Sequence, residues 1–218
     1  MTEHAGGAQP VPDWLDRLAA TAHEVGTPWR ESVSDVARRS AVLMLFGPGE
    51  RGSDIVLTQR SDSLRNHAGQ VALPGGTIDP TDADGVAAAL REAHEEVGLE
   101  PATVDVLASI DPIPLSVTGF AVQPVLSWWR EPHPIGVLDP AEVARVGRVP
   151  VDDLTDPANR FMSVHPTRGF AAPAFEVDGF YIWGFTAILL DTVLDAAGLT
   201  RPWDRDDRRV VPERFWTR

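Results

Sequence analysis

Residues 84–99, "DGVAAALREAHEEVGL", constrain the chain most. An alanine-rich interior, acidic residues in front and Gly98 as a left-handed stop predict a helix. Leu90, Ala93 and Val97 recur at i, i+3 and i+7 and form its buried stripe. Glu92, Glu95 and Glu96 stand three and four residues apart, so all three carboxylates can converge on the opposite face. The C-terminal end of a helix is the negative end of its macrodipole, where a carboxylate is disfavoured by about 0.3–1 kcal/mol. Three neighbouring carboxylates also raise one another's pKa. A hard divalent cation such as Mg²⁺, bound through a few carboxylates, waters and phosphates, removes that cost. Arg91, four residues before Glu95, can orient it. Taken alone, such a cluster reads more readily as a solvated charged helix face.

Three further features narrow the function. The formal charge is 19 − 32 = −13, a balance that repels nucleic acid and anionic membrane. A phosphate ligand would have to be met by local cations or metal. There are no cysteines, which excludes disulfides, thiolate zinc sites and cysteine nucleophiles. The N-terminal stretch has no basic segment followed by an apolar core. The longest apolar run, 180–190, is too short to span a bilayer. A cytoplasmic protein with no nucleic-acid or membrane partner is expected.

Hydrophobic periodicity predicts the remaining elements. Residues 1–11 are Gly/Pro-rich and expected to be disordered. A helix is predicted over 12–25 and a hairpin over 40–47 and 54–60. A brief strand over 70–76 ends in a glycine turn. Strands follow over 102–110, 120–129 and 142–150. A hairpin over 174–184 turns at Asp178-Gly179, and a helix closes the domain over 184–199. The tail 201–218 is left unassigned. The mixture implies one α/β domain over 12–200, built on a mixed sheet.

The helix and the glycine turn before it together resemble the Nudix hydrolase box, Gly-x5-Glu-x7-Arg-Glu-U-x-Glu-Glu-x-Gly-U, with U a bulky apolar residue. Arg91, Glu92, Glu95, Glu96, Gly98 and Leu99 fall in register, and Pro74, Gly75 and Gly76 precede them. At about one in fifteen per position, chance agreement at nine positions is of order 10⁻¹¹ per start point. Ala93 replaces the bulky apolar residue. The first box glutamate is missing, because Gly76 and Arg91 are one residue further apart than the plain box allows. Asp79 and Asp82 lie in that longer spacing. Asp82 is given no catalytic role, and either Asp82 or Asp84 suffices as a helix cap.

Upstream, "VLTQRSDSLRNHAGQVALPGG" (56–76) resembles a second motif, that of the coenzyme A pyrophosphatase branch of the family. Leu57, Thr58, Arg60, Ser61, Arg65, Gly69, Pro74, Gly75 and Gly76 match it. Val56 and Leu73 depart conservatively. The longer spacing and the Asp-Pro-x-Asp loop also resemble this branch.

The resemblance implies a Nudix fold, a mixed β-sheet sandwiched between α-helices. It implies metal-dependent hydrolysis of coenzyme A or its derivatives to 3′,5′-ADP and 4′-phosphopantetheine, with Mg²⁺ or Mn²⁺ held by Glu92, Glu95, Glu96 and the Gly76 carbonyl. Arg60, Arg65 and Gly75 would bind substrate, Arg91 would support the site, and Glu95 would be the general base. His67 and His94 are alternative bases, although a lone histidine is more often structural. Trp128, Trp129 and Trp183 read first as core residues and second as a ligand surface. Relatives are often dimers, so a homodimer is a further expectation. Three other readings stay open: hydrolysis of oxidised nucleoside triphosphates or ADP-ribose, and a non-catalytic nucleotide-binding regulator. The intact glutamates weigh against the regulator. Diphosphate isomerisation by a cysteine-using relative is disfavoured by the lack of cysteine.

Overall fold

The structure, a computed structural model, describes residues 9–26, 38–115, 119–167 and 169–216. Residues 1–8, most of the segment expected to be disordered, lie outside the described residues.

The central strand is β1 (Arg38–Gly49), an apolar run whose alternate residues serve two faces. Leu43 and Leu45 point to one buried cluster, and Met44 and Phe46 to another, as the two-residue period of a strand requires. β1 pairs antiparallel with β2 (Gly52–Arg60) through a two-residue turn, Gly49 facing Gly52. Both strands run further into the "PGERGS" connection than its turn residues suggest. On its other edge β1 pairs parallel with β7 (Phe120–Trp129). The path runs β3-β2-β1-β7-β5, where β3 is Val71–Ala72 and β5 is Val104–Ser109. Three strands lie off that path: β4 (Gly75–Thr77) on β1, β6 (Ile113–Leu115) on β7, and β8 (Val143–Pro150) on β2. One parallel pair among antiparallel ones makes the sheet mixed.

Helix α3 (Gly85–Val97) covers one face. Its Ala88, Ala89, Ala93 and Val97 are buried against Ala41, Leu43, Leu45, Val125 and Trp129. Small side chains on this helix let it lie close to the strands, so Ala93 belongs where the plain box has a bulkier residue. Leu90, expected in the stripe, is only half-buried. The opposite face holds α1 (Asp13–Ala20) and α5 (Gly184–Ala196). Leu15, Leu18, Leu189, Leu190, Val193 and Leu194 pack there with Met44, Phe46 and Trp128. The expected sandwich of a mixed sheet between helices is therefore present.

The helix expected over 12–25 is two helices, α1 and α2 (Ala22–Gly26). They break at Thr21, whose φ is −115° and ψ 14°. Its hydroxyl donates to the carbonyls of Arg17 (3.3 Å) and Leu18 (3.4 Å), a side-chain bond that competes with helix continuation.

A second sheet runs β11-β10-β9-β12, with β9 at Arg160–Val164, β10 at Ala171–Val177, β11 at Phe180–Ile182 and β12 at Arg208–Val210. The β10–β11 hairpin turns at Asp178-Gly179, φ 50° and 74°, both positive as a type I′ turn needs. Within the tail, β12 pairs parallel with β9, and Val211 and Phe215 are buried with Phe161, Ala174 and Tyr181. The short α4 (Val151–Thr155) joins the two sheets.

Candidate active site

Asp84 caps α3, its Oδ1 accepting from Ala87 N at 2.9 Å. Gly98 closes the helix at φ 75°, ψ 24°. Its N–H donates to His94 O, the bond of an αL helix end, and the N–H of Leu99 donates to Ala93 O. His94, one alternative base, is held at this end by a ring nitrogen 2.9 Å from Leu99 O.

The glycine turn expected at the end of 70–76 is a strand: Gly75 and Gly76 open β4 and are pressed between β1 and α3. Gly75 has φ 153°, and a Cβ there would sit 2.3 Å from Ala41 O. A Cβ on Gly76 would sit 2.5–2.7 Å from the Glu92 carboxylate. The two glycines thus serve different ends. Gly75 permits the close pairing of β4 with β1, and Gly76 leaves room for Glu92. Gly75 N donates to Glu96 Oε2 at 3.2 Å, tying β4 to the helix.

The three glutamates are treated unequally. Glu96 is only 5% exposed and lies on the buried side of α3 rather than on an opposite, solvated face. Burial pushes its carboxyl up to about 7, against the opposing pull of the Gly75 amide and the Arg60 cation. Burial also raises Glu92, against the hydrogen bond from Arg91. Glu95 is exposed and accepts from Arg91 Nη1 at 3.1 Å. The convergence of all three carboxylates on one face is therefore not observed. Residue 96 falls toward the sheet, residue 95 toward solvent, and Arg91 draws Glu92 and Glu95 to itself. Among the described residues no three histidine or acidic side chains are gathered as a preformed cation site.

Arg91 is the hub. Its Nε and Nη2 donate to the two oxygens of Asp82, each at 3.0 Å. Nη1 reaches Glu92 Oε1 at 3.0 Å, and Nη2 reaches Thr77 O at 3.1 Å. Asp82, given no role from the sequence and offered as a possible cap, is the fork partner of Arg91. Bidentate pairing of this kind fixes direction as well as distance. The longer loop supplies the missing acid one residue earlier in the chain than the plain box would.

Arg60, Gly75, Gly76 and His67 line one cavity of about 460 Å³. Arg60 Nε is buried without a hydrogen-bond partner among the described residues. The β2–β8 register shifts between Gln59 and Arg60, and such irregularities re-aim side chains. His67 has φ 58° and a ring nitrogen 3.0 Å from Gln70 Oε1. Arg65 is exposed on the same loop and is not brought to the cavity wall. Trp128 and Trp129 are core residues, whereas Trp183 lines the cavity.

Glu142 had no signal in the sequence. It precedes β8 and its carbonyl accepts from Ser61 N at 2.8 Å. Its charge raises both Glu92 and Glu96. Only the pairing of β8 with β2 brings it to the site.

The family profile described as the NUDIX domain matches residues 36–167. The uncharacterised Nudix hydrolase NudL of Citrobacter koseri is 37% identical over 164 residues, 69% of this chain and 78% of that protein. NudL of Escherichia coli K12 is 57% identical over 120 residues, 53% of this chain and 57% of that protein. The crystal structure of RenU, a Nudix hydrolase of M. smegmatis, is similar at a TM-score of 0.46 and 25% identity, over 54% of this chain and 73% of that one. The profile match spans more than half of the chain and carries the glycine pair, the forked arginine and all three helix glutamates: the chain belongs to the Nudix hydrolase family, enzymes of diphosphate hydrolysis that work with divalent metal ions.

Proposed function

We propose that this hydrolase cleaves the diphosphate of coenzyme A or its derivatives, releasing 3′,5′-ADP and the (acyl-)4′-phosphopantetheine. The observation that carries the reading is the placement of Arg60. It belongs to the upstream motif and shares a cavity wall with Gly75 and Gly76, while its charge bears on Glu96.

The side chains fit a hard divalent cation, Mg²⁺ or Mn²⁺. Every donor is an oxygen. Gly76 is open where the Glu92 carboxylate lies, and Glu92 and Glu96 are carboxylates whose charge is penalised by burial. Glu92, Glu96 and the Gly76 carbonyl would hold the ion, Glu95 would reach it by turning from Arg91, and the ion would lower the pKa of an attacking water and neutralise the diphosphate. The chain's own groups do the rest. Arg60 binds a phosphate oxygen, and Arg65, exposed on the loop after β2, adds positive charge for the substrate from outside the cavity wall. Arg91, fixed by Asp82, positions Glu92 and Glu95. Glu95, exposed and tethered to Arg91, turns to take the proton of the water as its oxygen attacks phosphorus. The bridging P–O bond breaks and its electrons leave with the second phosphate. The cytoplasm is the compartment proposed. No helix among the described residues is long and apolar enough to cross a membrane. A homodimer is the assembly proposed from the resemblance.

The test is a mass-spectrometric product assay with coenzyme A, dGTP, 8-oxo-dGTP and ADP-ribose, with and without Mg²⁺. Metal-dependent 3′,5′-ADP and phosphopantetheine in excess of all other products is expected. Preferential cleavage of a nucleoside triphosphate or ADP-ribose would replace the substrate assignment. No cleavage of any of them would favour the nucleotide-binding regulator.

A further inference from the structure

The tail beyond α5, left without an assignment by its sequence, returns to the cavity. β12 carries it along β9, and Val211 N donates to Val164 O at 3.0 Å. A turn of 3-10 helix, Glu213–Phe215, then delivers Phe215 into the interior, where it is buried. Trp216 Nε1 donates back to Val211 O at 2.7 Å and closes the tail on itself. The Phe215 ring stacks on Tyr181, centroids 5.5 Å apart, and lies 6.2 Å from Trp183, which lines the cavity. Its edge lies over Gly69: a Cβ there would sit 3.5 Å from Phe215 Cε1.

Gly69 is the buried foot of the loop 61–70, which exposes Asp62, Ser63, Arg65, Asn66 and His67. This loop belongs to the upstream motif. Its hydrogen bonds to the sheet lie at its two ends, where Arg60 N donates to Gln70 O at 2.9 Å and Gln59 Nε2 to Gly69 O at 3.2 Å. Between those ends His67 holds a φ of 58°. Such a conformation is costly for a residue other than glycine and persists where the surroundings over-determine it. Packing of Phe215 on Gly69 is a surrounding of that kind.

We propose that Phe215 is a positioning residue: the tail braces the loop 61–70 against Trp183, keeping His67 at the cavity wall and Arg65 beside it. The inference rests on the reading that this loop meets coenzyme A, and adds the segment that holds it. The ring touches Gly69 and Trp183 and acts on the substrate through them. Its loss leaves Arg91, Glu92, Glu95 and Glu96 in place on α3. Binding therefore weakens while the chemical step is kept, so KM rises and kcat does not fall.

The test combines hydrogen exchange of the substrate-free protein with kinetics on coenzyme A under Mg²⁺. It uses the wild type, Phe215→Ala, Phe215→Leu and Phe161→Leu. Phe161 shares the buried cluster of Phe215 but does not line the cavity, so its variant reports a loss of packing alone. Melts report folding, and the leucine variant serves if the alanine variant does not fold. In both folded Phe215 variants the amides of Leu64 and Gln70, bonded to Ser61 O and His67 O, are expected to exchange at least about tenfold faster, with α3 unchanged. KM is expected to rise about tenfold for alanine and about threefold for leucine, with kcat within about twofold. Phe161→Leu is expected to lower the melting temperature only. Unchanged loop exchange in folded Phe215 variants, equal acceleration in Phe161→Leu, or a fall in kcat at constant KM would overturn the brace. Failure of the wild type to cleave coenzyme A would overturn the substrate reading, while the exchange pattern would still decide the brace.

Discussion

The backbone amide of Gly75 donates to Oε2 of Glu96 across 3.2 Å. This bond joins the start of β4 to the end of α3, and it compensates part of the cost of burying a carboxylate at the negative end of a helix. Replacing Glu96 by Gln keeps an acceptor for Gly75 and removes the charge. Glu96→Gln is expected to fold, to melt no lower than the wild type in metal-free buffer at pH 8, and to lose at least about 100-fold in metal-dependent kcat/KM. Paired melts and turnover assays separate the two effects.

Glu96 also sets a pH dependence. Its carboxyl is near 4.5 when unfolded and about 7 when folded. Below 4.5 both states are protonated and the group contributes no slope. Between 4.5 and 7 the unfolded chain releases the proton while the folded one keeps it, so stability falls as pH rises and levels off above 7. The loss is at most about 3–4 kcal/mol. Denaturant titration of metal-free protein from pH 4.5 to 8 is expected to show this fall, and Glu96→Gln is expected to flatten it. Mn²⁺ or Mg²⁺ at pH 8 is expected to restore the lost stability.

The two acids before α3 divide their labour. Asp84→Ala removes the cap bond to Ala87 N and is expected to cost about 1 kcal/mol with turnover near wild type. Asp82→Asn breaks the fork to Arg91. It is expected to lower turnover about 10–100-fold, the range for groups that orient a metal site. Equal effects of the two on turnover would deny Arg91 its positioning role.

The glycines divide theirs as well. Gly75→Ala places a Cβ 2.3 Å from Ala41 O and is expected to destabilise the fold by about 1–3 kcal/mol or more. Gly76→Ala meets the Glu92 carboxylate instead. It is expected to weaken Mn²⁺ binding about tenfold with a smaller change in melting temperature. Isothermal titration and melts on both variants check the contrast.

Much of this was legible in the sequence where local rules decide. The helix over 84–99 ends at Gly98 because only glycine takes φ 75° without strain. The hairpin at Asp178-Gly179 follows from the same chemistry. The strand over 160–164 was not legible, because it opens on a buried arginine, Arg160, that pairs with Asp191. The tail was not either, since Val211 and Phe215 acquire their core only from the second sheet. At the site, residue types and spacing single out Glu92, Glu96 and Arg91 as candidates. Spacing could not show that Glu96 falls on the buried side of α3 while Glu95 stays in solvent. Glu142 and the Asp82 fork depend on contacts between elements, which no local pattern encodes.

The central claim is that Glu92 and Glu96, against the Gly75-Gly76 pair, hold a divalent cation. Electron paramagnetic resonance of Mn²⁺ titrated into the wild type, Glu96→Gln and Glu92→Gln tests it without reference to any substrate. Saturable binding by the wild type, weakened at least about tenfold in both folded variants, is the expected result. Equal Mn²⁺ affinity in all three proteins would contradict it.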